Sequence, residues 1–298
     1  MDKPMNTPAI AIFAYRRPQA LQACLASLAA CLGADALDAT VFVDGPADAS
    51  EQSLVEEASH VAASFKGFRT LEVCRSEDHL GLGPSVIRGI SRVLETHPAV
   101  IVVEDDLKVQ PGFLRFVQDG LYRYAGDDRV FSICGYTNRV RIPEGYGSDA
   151  YFCPRSSSWG WATWKDRWNA VDWNPTPADV ERYRRSFAAW GGSDCPDLLR
   201  GWLEGKNASW AIRFCFSQFL QGKLSLFPVK SLVEASGEFD GSGTNCFRYN
   251  RFRFDLDARP GPFHYPDEVH VVPAIRRSAL RYHSVSRRVW TRFRNLFA

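Results

Sequence analysis

The stretch Ala-Val-Ile-Val-Val-Glu-Asp-Asp-Leu, residues 99–107, joins two patterns that seldom sit side by side. From Val100 to Val103 the chain is apolar without alternation, as in a parallel strand covered on both faces. Glu104, Asp105 and Asp106 follow at once. Adjacent carboxylates repel, so the pattern predicts a positive partner beside them. Side chains alternate along an extended chain, which sends Glu104 and Asp106 one way and Asp105 the other. Hard divalent cations such as Mg²⁺ and Mn²⁺ select carboxylate oxygens and keep positions open for phosphates. One or two carboxylates at a strand end, together with a diphosphate, suit such an ion. The plainer alternative is a solvated turn whose acids cap the next helix.

Outward from this stretch, the first half alternates strand and helix patterns. Residues 9–14 and 39–43 read as buried strands, residues 70–74 as a weaker one, and residues 130–134 as a later one. Between them, Leu21, Leu25, Leu28 and Leu32 recur at helical spacing after Pro18 and before Gly33. Leu54, Ala58, Val61 and Phe65 mark a second helix, Val86, Ile90 and Val93 a third, and Phe113, Phe116, Val117 and Leu121 a fourth. Such alternation predicts a mostly parallel sheet with helices on both faces, which binds ligands at the carboxyl ends of its strands. The acidic triplet stands at one of those ends. A response-regulator receiver domain also clusters acids around Mg²⁺, but there the acids follow the first strand, whereas three strands precede them here.

From about residue 140 the composition changes. Glycine, serine and aromatic residues become dense, notably in Ser158-Trp159-Gly160-Trp161-Ala162-Thr163-Trp164. Helical stretches near 177–189 and 209–221 follow, then a strand over 224–227 and a glycine-rich loop over 237–245. The formal net charge of +2 predicts no general affinity for nucleic acid. The eight cysteines are scattered without zinc-ligand spacing and suit a reducing cytoplasm. The opening Met-Asp-Lys-Pro-Met-Asn-Thr-Pro does not read as a secretory signal. No apolar run reaches the roughly 18 residues of a membrane span.

Other strand ends supply polar groups to the same crevice: Tyr15, Arg16 and Arg17 after the first strand, Asp44 after the second. An Asp and an Arg at neighbouring strand ends can hold a nucleobase. The turn around Gly81 and Gly83, opening a helix, would let backbone approach a ligand closely.

With these motifs the sequence resembles nucleotide-sugar-dependent glycosyltransferases of the GT-A fold, in particular N-acetylglucosaminyltransferase I and its bacterial relatives. The resemblance rests on Ala14-Tyr15-Arg16-Arg17-Pro18, Val43-Asp44-Gly45, Val102-Val103-Glu104-Asp105-Asp106-Leu107, the tryptophan block and Asp240-Gly241-Ser242-Gly243-Thr244-Asn245. Covering about residues 9–250, it implies a Rossmann-like α/β body with a nucleotide-sugar-binding half over 1–140 and a Trp-rich acceptor-binding half over 141–265; a basic tail over 266–298 follows. It further implies that Asp106 coordinates Mn²⁺ or Mg²⁺ on the donor diphosphate. Asp105 would contact the ribose or the donor sugar, Glu104 would orient the donor sugar or a metal-bound water, and Arg17 and Asp44 would read the base, uracil. Tyr15 and Gly83 belong to the same donor set, and Trp159, Gly160 and Trp161 to the acceptor side.

The sequence departs from this pattern at one point. Relatives carry an Asp beside the Trp that opens the second helix of the acceptor half, where this chain has Asn207-Ala208-Ser209-Trp210. Asp240, Asp166 and Glu204 are the remaining candidates for a general base. The missing acid also keeps open an inactive, carbohydrate-binding or scaffolding protein of the same fold. A sugar nucleotidyltransferase would want a Gly-rich basic loop where Tyr15-Arg16-Arg17-Pro18 stands.

From Ile275 onward the tail has seven arginines and no acidic residue. Val285, Val289, Phe293 and Leu296 recur at helical spacing beside Trp290 and Phe297. Such a basic amphipathic helix suits the surface of an anionic membrane or packing on the protein itself. The expectation is a UDP-sugar glycosyltransferase acting on a glycan or lipid-linked glycan, cytoplasmic or peripheral on the inner membrane face, in bacterial surface polysaccharide synthesis.

Overall fold

The computed structural model describes residues 7–235 and 255–297. The first half runs β1 (Ala9–Ala14), α1 (Pro18–Ala29), β2 (Asp38–Val43), α2 (Gln52–Ser64), β3 (Thr70–Arg75) and α3 (Leu82–Thr96). Then come β4 (Ala99–Glu104), the short β5 (Leu107–Val109), α4 (Phe113–Arg123) and β6 (Val130–Cys134). The second half adds β7 (Ala150–Cys153), β8 (Trp161–Trp164), α5 (Lys165–Asn169), α6 (Pro177–Gly191), α7 (Cys195–Leu203) and α8 (Trp210–Leu220). The rest is β9 (Leu224–Pro228), β10 (Val233–Ala235), α9 (Pro273–Tyr282) and α10 (Val285–Phe297).

Eight strands form one sheet in the order β3-β2-β1-β4-β8-β6-β9-β7. The block β3-β2-β1-β4 is parallel throughout, and β6 and β9 are parallel to each other. The α/β expectation therefore holds, and the arrangement is consistent with a GT-A-like body. Two strands break the parallel order: β7 runs antiparallel to β9 at the end of the sheet, and β8 enters antiparallel between β4 and β6 and ties the second half into the sheet of the first.

Every residue of β1 is buried, as is β4 up to Glu104. Ile10, Ile12, Ile101 and Val103 face α1, α2 and α4 through Leu21, Leu25, Val55 and Phe116. The alternate residues Ala11, Phe13, Val100 and Val102 face α3 and α8 through Ile90, Trp210 and Phe214. Helices on both faces are why these strands need no polar alternation.

Two stripes differ from the spacing predicted. α1 ends at Ala29, and Gly33 with φ of 83° turns the chain away, leaving Leu32 exposed. In α2 the buried face is Val55, Ala58 and Ala62, with Leu54 turned outward. Seven cysteines (24, 31, 74, 134, 153, 195 and 215) are free thiols. No helix among the described residues is long and apolar enough to cross a membrane.

Candidate functional site

Because β2, β1 and β4 are parallel neighbours, the residues that follow them emerge at one edge of the sheet. Tyr15 and Arg17, Asp44, and the Glu104-Asp105-Asp106 triplet thereby line one cavity of about 420 Å³. The first turn of α3, with Gly81 and Leu82, closes one side, and Trp159 from the second half closes another.

The triplet does not continue the extended strand as expected: β4 ends at Glu104, and a turn at Asp105 and Asp106 brings both carboxylates to one cation. Asp105 is 2 % exposed, while Glu104 and Asp106 are half-buried. The positive partner is Arg17. Its Nη2 donates to Asp105 Oδ1, and its Nη1 donates to Asp106 Oδ2 at 2.9 Å. The Tyr15 backbone N–H also donates to Asp105, at 3.3 Å. Burial pushes the Asp105 carboxyl up to about 6, against the pull of Arg17. Burial works to lower the Arg17 guanidinium, but Asp105 and Asp106 outweigh it and hold it above its ordinary value. The sequence pattern predicted a counter-charge and assigned it to a metal ion; within the chain, an arginine 88 residues away from Asp105 supplies it.

Asp44 is 5 % exposed and already engaged. It accepts the backbone N–H groups of Gly45 at 3.1 Å, Leu80 at 2.9 Å and Gly81 at 2.9 Å, and lies 3.0 Å from His79 Nδ1. It therefore clamps the loop after β2 to the start of α3. Tyr15 donates its hydroxyl to Glu51 and accepts from the Ala47 N–H, and its ring lies 4.8 Å from the His79 ring. Gly83 does not line the cavity. A Cβ there would stand 2.6 Å from the Ala208 carbonyl oxygen, so this glycine lets α3 meet the loop before α8.

Among the described residues no three His, Cys, Asp or Glu side chains converge as a metal cage. Glu104 and Asp106 are nonetheless two carboxylates on one cavity wall. That donor set fits a hard cation whose remaining positions are filled by phosphate and water oxygens, and not a resident structural ion.

Trp159 also lines a second cavity of about 240 Å³, which contains Asn138, Ser156, Ser158, Asp194 and His283. One indole thus walls both spaces, held edge-on against Tyr136 with ring centroids 4.7 Å apart. Asp194 accepts from Arg155 Nη1 at 2.8 and 2.9 Å and lies 3.8 Å from His283 Nδ1. The Asp194 carboxyl is held below its ordinary value: burial raises it, and Arg155 and His283 more than reverse that. His283 Nε2 lies 3.2 Å from the Asn138 side-chain amide. Sequence reading missed both residues, since Asp194 sits where a helix cap is expected and His283 is hidden in the basic tail.

Trp161 departs from its expected acceptor role. It is fully buried, stacks on Trp210 at 5.2 Å, and lines neither cavity. Gly160 is a packing residue with φ of 60°, where a Cβ would meet Val233 at 2.7 Å. Asp166 follows β8, whose Trp164 pairs with Ala99 at the start of β4. It therefore stands at the opposite edge of the sheet from the triplet, exposed and paired with Arg167. Glu204 is exposed after α7, bonded to Lys206 at 2.6 Å, and lines neither cavity. Asp240, with Asn245, lies outside the described residues.

No family model matches the chain, and no curated protein matches it in sequence. Among solved structures it is similar to S. aureus TarS, at 12% identity and a TM-score of 0.42, over 78% of this chain and 37% of that one. It is also similar to S. aureus TarS 1-349, at 11% identity and a TM-score of 0.41, over 77% of this chain and 60% of that one. The chain thus spans less than two thirds of the length of either structure.

Proposed function

We propose that the chain is a GT-A-type glycosyltransferase that binds a UDP-sugar in the acidic crevice and passes the sugar to a glycan or lipid-linked glycan acceptor. The observation that carries the reading is that Trp159 lines both a strand-end cavity bearing Glu104, Asp105 and Asp106 and a second cavity rich in hydroxyls. A sugar held at that indole faces both spaces, and its C–H face suits an aromatic ring.

In this reading Asp106, with Glu104 beside it, would hold Mn²⁺ or Mg²⁺, which would supply positive charge to the diphosphate. Arg17 holds Asp105 and Asp106 in place and offers donors to the same phosphates. The Tyr15 and His79 rings supply a stacking surface for the base. An acceptor hydroxyl in the second cavity attacks the anomeric carbon while the nucleoside diphosphate departs. The hydroxyl proton passes to a group on that wall. Arg155 weakens Asp194 as a base, which leaves the His283 imidazole as the better acceptor, its Nε2 giving up the Asn138 amide N–H to take the proton while Nδ1 faces Asp194.

The test is calorimetric titration with UDP, with and without Mn²⁺, on the native chain and Asp106→Ala. Metal-dependent binding lost in the variant supports the donor site, and absence of binding to UDP, GDP and dTDP sinks it. A second reading has its own support: both described candidates for the base, Asp166 and Glu204, lie outside the cavities. An inactive sugar-binding protein of this fold would bind UDP with Mn²⁺ yet transfer no sugar to any acceptor offered. Transfer that is lost in His283→Gln while UDP binding persists would exclude it.

A further inference from the structure

The final helix is folded inside out. Val285, Val289 and Phe293 repeat at i, i+4 and i+8 along α10, with Trp290 adjacent. A helix packed on its own protein turns such a stripe inward. Here the four residues are 56 %, 58 %, 51 % and 48 % exposed, respectively, and Trp290 stacks on Phe293 on the outside at 6.0 Å. The inward position belongs to a polar residue: Thr291 is 8 % exposed and donates to the Arg287 carbonyl at 2.9 Å. Arg288 points back towards the body, its Nη2 3.5 Å from Ser193 Oγ.

The charge around this face has one sign. From Ile275 onward the chain carries Arg276, Arg277, Arg281, Arg287, Arg288, Arg292 and Arg294 and no Asp or Glu. Among the described residues none of Arg276, Arg277, Arg281, Arg287 or Arg288 forms an ion pair with a carboxylate, whereas arginines elsewhere in the chain commonly do. Arg276, Arg277 and Arg281 on α9 are exposed, and Arg287 and Arg288 are half-buried beside the apolar stripe.

We infer that α10 is a membrane-docking helix that seats Val285, Val289, Trp290 and Phe293 in the interface of an anionic bilayer. An aromatic and aliphatic strip bordered by arginines matches the two layers of such an interface, acyl boundary and phosphate headgroups. A second copy of the chain is a poorer occupant, because it would bring one set of arginines against another with no acidic residue on the segment to meet them. The position suits the proposed acceptor. His283, two residues before α10, lines the second cavity, so docking would hold that cavity near the lipid headgroups. The contact itself is independent of the transfer reading.

The test is cosedimentation of the full chain with vesicles of phosphatidylcholine alone and of phosphatidylcholine with phosphatidylglycerol. Light scattering without lipid runs alongside. Binding is expected only with the anionic lipid and should fall as salt rises. Arg277→Gln and Arg281→Gln should each weaken it by about fivefold. The double variant Trp290→Ser/Phe293→Ser should weaken it by roughly thirtyfold or more while metal-dependent UDP binding stays as in the native chain. That UDP measurement separates a failed docking surface from a failed donor site, and both substituted positions are solvent-facing, so folding is retained. No binding to anionic vesicles overturns the inference, as does binding unchanged in the double variant. A native dimer that the double variant dissociates overturns it in favour of self-association.

Discussion

Replacing Arg17 with methionine keeps an aliphatic stem of similar reach and removes the cation shared by Asp105 and Asp106. Asp105 is buried, so its ionised carboxylate would lose the Arg17 side-chain donor while retaining the Tyr15 N–H. Breaking a buried ion pair from one side costs about 3–5 kcal/mol. The lower end applies here, because Arg17 is itself 23% exposed and Asp106 17%. Unfolding a chain of 298 residues releases entropy of about 0.6 kcal/mol per kelvin at roughly 2.1 cal/mol/K per residue. A loss of about 3 kcal/mol therefore lowers Tm by about 5 °C. The assay is thermal unfolding of native chain and variant, each with and without Mn²⁺. The metal is expected to raise Tm more in Arg17→Met than in the native chain, because there it alone neutralises the triplet. Adding Asp105→Asn should recover part of the loss, since the variant then no longer buries an unpaired charge. A Tm drop below about 1 °C, or an equal Mn²⁺ effect on both proteins, would refute the view that Arg17 is the counter-charge.

Three further outcomes test the packing around the site. Gly83→Ala sets a helix-propensity gain of about 1 kcal/mol against a Cβ placed 2.6 Å from the Ala208 carbonyl. Backbone cannot rotate away as a side chain can, so a net loss of about 1–2 kcal/mol is expected by denaturant unfolding, and a more stable variant refutes the close contact. Trp161→Ala should cost about 3–5 kcal/mol, being fully buried, whereas Trp159→Ala, half-buried and packed on Tyr136, should cost about 1–2 kcal/mol and impair sugar transfer; equal stability losses would contradict the division between core and cavity wall. At the opposite edge of the sheet, Arg69, with Thr70 and His97, holds the Asp38 carboxyl well below the usual carboxylate range, against the effect of burial. A depressed folded value gives stability that is full above the ordinary value of about 3.9 and lost as pH falls through the depressed one. Asp38→Asn should therefore cost about 2 kcal/mol at neutral pH and progressively less towards pH 2 in acid unfolding curves, and a gap that widens on acidification would reverse the sign of the argument.

The first half was legible because its physics is local. A parallel strand under two layers of helix must be apolar on both faces, and β1, β2, β4 and β6 show this directly. The helices between them betray themselves by spacing, with an error of three residues at the end of α1, which stops before the Gly33 turn, and of one residue in the roll of α2, whose buried face is small. The second half was harder because its strands hide among aromatic residues. β8 is the four-residue Trp161–Trp164, whose tryptophans read as ligand surface. Its place between β4 and β6 is a property of the sheet and cannot be inferred from its own residues. Indoles serve equally in a core and against a sugar ring, and only burial separates Trp161 from Trp159.

The same division explains the site. Residues directly after β1, β2 and β4 were found because a parallel sheet brings its strand ends together whatever the distance along the chain. Their partners were not found, because partner choice depends on side-chain reach. Arg17 lies at the start of α1, beside a strand end that could have aimed it at a base, yet the nearest strong anion is the Asp105 carboxylate across the β1–β4 pair, and with Asp105 buried that attraction is little screened. Asp44 similarly satisfies backbone donors of its own neighbouring loops before any ligand arrives. The reading that survives is therefore one of competition. The proposed diphosphate and cation would have to take over contacts that Arg17 already makes with the triplet, so the crevice is held in shape by the same residues that such a donor would recruit.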